Sequence, residues 1–267
     1  MSSPGLTNLN FFRFFKISFN RIFMVLLILT IMSFNNCSDS YNFNQREFEK
    51  LLERGNLIFF LPRKYELVPV IENKQVHYDI AYKLDNKIEV RYSIWPYDTQ
   101  LAEYNAYLDR KAKGIQVTDS IRGKMTEIMI DPNTLYKSFF VTFVYNITEK
   151  EDLTMDKVLS KIHEYPTKSV QDEFNADYGA YTFCKLDKEF GQEYKLCSVY
   201  MIHKKDCGMV VCFRLFKDDE HVKRTDLSKT HFYNNENEFY NMQFYKALPP
   251  LPLHPKNIDR IFIPEYQ

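Results

Sequence analysis

Residues 88–95 read Ile-Glu-Val-Arg-Tyr-Ser-Ile-Trp, and their alternation constrains the fold more than any other stretch of this chain. Ile88, Val90, Tyr92 and Ile94 fall on one side, with Glu89, Arg91 and Ser93 on the other. Residues two apart share a face in an extended strand and not in a helix. The pattern predicts a strand with one wet face, the habit of antiparallel rather than parallel sheets. Asp85-Asn86 just before it tolerates left-handed turn geometry, so Val76–Leu84 and Lys87–Trp95 form a hairpin.

Three further strands follow in meander order over 179–186, 194–203 and 209–216, and Leu57–Leu61 is another, broken by Pro62. Ser138–Ile147 (SFFVTFVYNI) is apolar on both faces and reads as a central strand. Helices are signalled by capping chemistry. Asn44 with Glu47 opens one that carries Phe48, Leu51 and Leu52 and stops at Gly55. Asp98 caps a second, with Leu101, Tyr104 and Leu108 inward and Gly114 as its stop. Thr154 caps a third, with Leu153 and Val158 as a hydrophobic staple, His163 in its last turn and Pro166 beyond. Glu236–Leu248 reads as a last helix, and 249–255 (PPLPLHP) as an extended arm. No Gly/Ser linker interrupts this order. The expected fold is a single α+β domain over residues 43–248, a mostly antiparallel sheet covered by helices in an α/β/α sandwich-like arrangement, with residues 249–267 as a proline-rich C-terminal arm.

The first forty residues carry a different signal. Ile22–Phe34 is free of charge, Arg13, Lys16 and Arg21 precede it, and no acidic residue occurs before Asp39. A helix of that length spans roughly 20 Å, short of the roughly 30 Å core of a bilayer. A basic region, a short apolar run and a polar exit predict a secretory signal over residues 1–36. Phe34-Asn35-Asn36-Cys37 resembles the relaxed, spirochaete-like lipobox of bacterial lipoproteins. That resemblance implies lipidation of Cys37, with residues 37–42 as a tether, and a place in the cell envelope, on the outer membrane or the periplasmic face of the inner membrane. An ordinary signal peptide or an uncleaved anchor are the alternatives.

Charge narrows the partners. The chain has 35 Lys+Arg and 35 Asp+Glu, and losing the first 36 residues removes three bases and no acid. A weakly acidic product lacks the basic footprint of a nucleic-acid binder. Only seven glycines are present, and neither GxGxxG nor GxxxxGK[ST] occurs, so no phosphate-cradling loop or nucleotide cofactor is expected.

Cys184, Cys197, Cys207 and Cys212 cluster late in the chain. In an oxidising compartment disulfides are the first reading. Buried thiols are another, and a metal site from His203, Cys207 and Cys212 a third, though that spacing lacks the CxxC knuckle of structural zinc. A symmetric turn near Phe190-Gly191 puts Cys184 opposite Cys197, the one possible disulfide that the strand pattern favours. No metal or cofactor is expected.

Among the histidines, alternation turns His77 to the side of Asp79, and His221 and His231 flank Asp226 and Ser228 in a polar loop. One exposed loop lacks the rigid orientation of triad chemistry. Asp172-Glu173, Asp177 and Asp218-Asp219-Glu220 read as solvated loop carboxylates, and Asn146-Ile147-Thr148 as a chance sequon. No catalytic residue is assigned.

Phe60-Leu61-Pro62 followed by Tyr65, the Ile88–Trp95 strand with its Asp98 helix, and the late meander resemble the PsbP-like family of α/β/α sandwiches. The resemblance implies an accessory, protein-binding role and no enzymatic activity. The expected function is therefore a non-enzymatic, lipid-anchored envelope protein with a possible protein partner. A secreted hydrolase, whose site is scattered in sequence, is the alternative.

Overall fold

A computed structural model describes residues 45–62, 66–84, 87–114, 129–151, 153–218, 242–245 and 258–262. The chain divides into two compact units between Arg46 and Glu47, and the architecture below is that of the second. Helix α1 (residues 45–54, of which Glu47 onward belongs to this unit) precedes strands β1 (Leu57–Pro62), β2 (Glu66–Val68), β3 (Ile80–Leu84) and β4 (Ile88–Pro96). Then come helix α2 (Asp98–Ala112), a 3-10 turn at Pro132–Thr134, α3 (Tyr136–Ile147), α4 (Met155–Leu159), β5 (His163–Glu164) and α5 (Thr167–Phe174). β6 (Tyr178–Lys185), α6 (Lys188–Gly191), β7 (Leu196–Lys204), β8 (Gly208–Phe216), β9 (Met242–Phe244) and β10 (Ile258–Phe262) complete the order.

Seven strands form one sheet in the order β2-β3-β4-β8-β7-β6-β5, and a smaller sheet has the order β10-β1-β9. Every pairing is antiparallel. This is an α+β domain with a mostly antiparallel sheet, as the strand patterns predict. The large sheet buries both faces. Against the first lie α1 (Phe48, Leu52), α5 (Val170, Phe174) and the small sheet (Phe59, Met242). Against the second lie α3, α6 and the segment carrying Val76 and Tyr78.

That second layer overturns the wet face expected for β4. Ile88, Val90, Tyr92 and Ile94 do point together into the first core. Glu89, Arg91 and Ser93 on the other side are also buried, at 4%, 1% and 0% exposure. Polarity of a strand face reports water only where nothing packs on it.

The expected strand at Ser138–Ile147 is helix α3. Phe140, Phe143, Val144 and Ile147 are its buried residues, the i, i+3, i+4, i+7 set of one helical face. A run apolar all round hides that period. The helix expected over Glu236–Leu248 is corrected at Met242–Phe244, which is strand β9 paired with β1; residues 236–241 and 246–248 lie outside the described residues. His163 is not helical: it pairs with Tyr181 in β5. Pro166 does not end a helix but precedes α5, which holds both Asp172 and Glu173; Asp172 is solvated as expected, though on a helix rather than a loop, whereas Glu173 is buried. Of the C-terminal arm, Ile258–Phe262 pairs with β1, and 249–257 is outside the described residues.

The caps are mostly local. Thr154 accepts a hydrogen bond from Lys157 N, as expected of an N-cap, and Gly114 ends α2 at φ +67°. Asp98 is not the cap of α2; that position is Tyr97, and Asp98 instead accepts from Arg54 Nε and Nη2 at 2.8 and 2.9 Å. At the end of α1 the left-handed residue is Asn56 (φ 53°). Gly55 serves close approach there: a Cβ would sit 2.9 Å from Leu57 Cδ1.

Candidate functional site

Cys37 lies outside the described residues, as do His221, His231, Asp226 and Ser228. Cys184 and Cys197 are register partners on β6 and β7, as expected, and both are free thiols. Leu186 N donates to Lys195 O at 2.8 Å, two residues along. The alternation of an antiparallel ladder then makes Cys184–Cys197 a hydrogen-bonded pair, with Cα atoms about 5.5 Å apart rather than the closer 4.5 Å of the other class. Burial pushes the Cys184 thiol up to about 11 and Cys212 up to about 12, so neither offers a thiolate near neutral pH.

The metal reading of His203, Cys207 and Cys212 does not assemble. His203 faces the second core between Tyr97 and Tyr136, Cys212 faces the first core, and Cys207 sits in the turn between the strands. Among the described residues no group of three or more His, Cys, Asp or Glu could hold a metal ion.

Two buried polar clusters occupy the sheet faces. Arg91 Nε donates to Glu89 Oε1 at 2.6 Å, and its Nη1 donates to Phe190 O at 2.6 Å. The guanidinium lies 4.8 Å from the ring centroids of both Tyr78 and Phe190, a stacked cation. Lys83 reaches the second Glu89 oxygen at 3.3 Å. Near the opposite end of β4, the His203 ring stacks on Tyr136 at 4.0 Å and 13°. His203 is 4% exposed, and neither ring nitrogen has a hydrogen-bond partner among the described residues. Burial lowers its pKa from 6.5 to about 4, against the pull of Asp177 and Asp206. Beside it Tyr178 donates to Glu164 at 2.7 Å and Lys137 donates to the same oxygen at 2.9 Å. These neighbours hold the Glu164 carboxyl below its usual range.

His77 does contact Asp79, at 3.0 Å, but both precede β3, which starts at Ile80 and not at Val76 as expected, so strand alternation does not set this contact. Asp79 also accepts from Ile94 N at 2.7 Å, so the carboxylate fastens the loop before β3 to β4. The hydrogen bond to Asp79 raises the His77 pKa. Asp177 accepts from Lys205 N at 2.8 Å, and Asn146 of the sequon lies within α3, donating to Gln75 O at 3.2 Å. Each of these groups has a structural task.

Two surface features remain. Helix α2 buries none of its fifteen residues. It carries half-buried Leu101, Tyr104 and Tyr107, with Leu108 40% exposed, so the three positions expected to face inward do not form a buried stripe. The second is a cleft of about 610 Å³ between α4 and the outer edge of β6, lined at its floor by Thr182, Phe183 and Cys184. Its rim carries Glu149, Glu151, Lys157 and Lys161. Sequence reasoning missed it, because charges at loop and helix positions carry no periodic signal. Among the described residues no helix is long and apolar enough to cross a membrane.

Comparison with protein-family models, with curated proteins and with solved structures finds no match to this chain.

Proposed function

We propose that this chain is a lipid-anchored cell-envelope protein, non-enzymatic, whose α+β domain is a binding or accessory module for a protein partner. The anchor is supported by the order of charges, apolar run and Cys37 in the sequence. Acyl chains contribute about 0.8 kcal/mol per buried CH₂, so several together hold a protein at a bilayer. The binding role rests on one observation: α2 presents Tyr104, Tyr107 and Leu108 without burying any residue of its own. Aromatic and aliphatic side chains left on such a surface are the usual anchors of protein interfaces.

Labelled palmitate should enter the wild-type chain and not Cys37→Ser, and only the wild type should partition into detergent. Equal labelling and partitioning would remove the anchor. A photoreactive side chain at Leu108 should yield one dominant crosslinked species in intact cells, absent when the probe replaces exposed Glu189. The same species from both positions would remove α2 as the binding surface.

A further inference from the structure

Helix α2 buries none of its fifteen residues, so its attachment to the sheet leans on the residues at its start. Tyr97, the N-cap, is 3% exposed and belongs to the second core, against which Leu101 also packs. Tyr97 N donates to Cys207 O at 3.0 Å, in the turn between β7 and β8. From α1, Arg54 holds Asp98 and reaches Thr99 Oγ1 at 3.2 Å. A segment with so few buried contacts opens at lower cost than the strands beneath it.

The Tyr97 ring lies 5.8 Å from the ring of His203, which Tyr136 of α3 also covers. The buried Tyr97 hydroxyl, like both His203 nitrogens, has no hydrogen-bond partner among the described residues. Titratable groups surround this ring from several elements. Tyr97 precedes α2, Tyr136 and Lys137 belong to α3, Asp177 and Tyr178 open β6, and Asp206 lies in the β7–β8 turn. Glu164 of β5 joins them through the Tyr178 hydroxyl and Lys137. Asp177 and Asp206 favour the imidazolium, but burial opposes it more strongly. A cation in that cage needs water or an acceptor, and withdrawal of Tyr97 would admit water. The closed arrangement therefore disfavours protonation and the open one permits it, so falling pH drives opening. The other tie responds separately. Arg54 holds the Asp98 carboxyl below its ordinary range, so that pair persists at pH 5.

We propose that His203 is an acid-operated latch: protonation of its ring displaces Tyr97 and frees helix α2 from the sheet while the sheet stays folded. Release would control the α2 surface assigned above to a protein partner, and rests on that reading for its consequence. The release itself is measured with no partner present, so its failure would leave the crosslinking test of that surface untouched.

The test measures amide exchange on the full-length protein in detergent micelles at pH 7 and pH 5, as protection relative to the unstructured chain. If opening carries His203 from about 4 toward its ordinary 6.5, protection over residues 99–112 should fall about five- to twentyfold. Strands β7 and β8 should keep their protection. Trp95, stacked on Phe139 of α3 at 5.9 Å, should keep its emission. His203→Phe should hold α2 equally at both pH values. Asp98→Asn should lower α2 protection at both and retain the step between them. Equal wild-type protection at pH 7 and 5, the same fall in His203→Phe, or loss of strand protection together with α2 would each overturn the latch.

Discussion

Glu89 and Arg91, two residues apart on β4, form an ion pair of 2.6 Å on a sheet face where both side chains are at most 5% exposed. The pair occupies a layer otherwise filled by Tyr78, Phe190 and Phe213. Separated from one another, these charges would be far more costly to bury than together.

Removing one partner is therefore expected to be severe. Glu89→Gln or Arg91→Met alone should destabilise the domain by about 3–5 kcal/mol in urea unfolding, because each leaves an uncompensated buried group. The double variant Glu89→Leu/Arg91→Met should recover much of that loss. Additive single and double effects would show that the pair is not coupled.

His203 gives a prediction in pH. Its folded pKa, about 4, lies below the ordinary 6.5 because burial disfavours the imidazolium. The unfolded chain therefore binds a proton first as pH falls. Stability from the neutral ring is complete above about pH 6.5 and is lost progressively as pH falls from there through about 4, on the order of 3 kcal/mol in all. His203→Phe keeps the stack on Tyr136 and removes two nitrogens that lack hydrogen-bond partners among the described residues. It should match or exceed wild-type stability at pH 7 by about 1 kcal/mol and flatten this part of the acid profile. An unchanged difference between the two proteins across pH 7 to 4 would refute the assignment.

Two glycines should respond differently to alanine. At Gly208 a Cβ would lie 2.6 Å from Trp95 O and 3.2 Å from Pro96 Cα, so the central pairing of β4 with β8 must shift. Gly208→Ala should cost about 3 kcal/mol by thermal unfolding, comparable with overpacking a core. Among the described residues nothing lies within 4 Å of a Cβ at Gly114, and only its φ of +67° objects; Gly114→Ala should cost about 1 kcal/mol. Equal costs would contradict the close approach at Gly208.

The paired thiols of β6 and β7 should stay reduced and silent. Cys197 is fully buried and burial holds its pKa well above the ordinary value. A thiol reagent at pH 8 should react with Cys184 and Cys197 only after unfolding, and peptide mapping without reduction should find both free. A recovered Cys184–Cys197 bridge would mean that the ladder opens enough to bring the sulfurs together.

Much of this molecule is legible from local sequence. The alternation of Ile88–Ile94, the meander register that sets Cys184 against Cys197, the Thr154 cap and the Gly114 stop each depend on neighbours in the chain, and each stands as expected. What the chain could not state alone is what arrives from elsewhere. Burial of Glu89 and Arg91 follows from α3, α6 and the Tyr78 segment closing over that face. The helical state of Ser138–Ile147 follows from a core that accepts one of its two equally apolar faces. Met242–Phe244 became a strand because β1 offered an edge, and the cleft beside Phe183 exists because α4 stands off the outer edge of β6. Period and caps are set within a few residues, whereas burial, edge pairing and clefts belong to surfaces assembled from distant parts of the chain, so only the tertiary structure decided them.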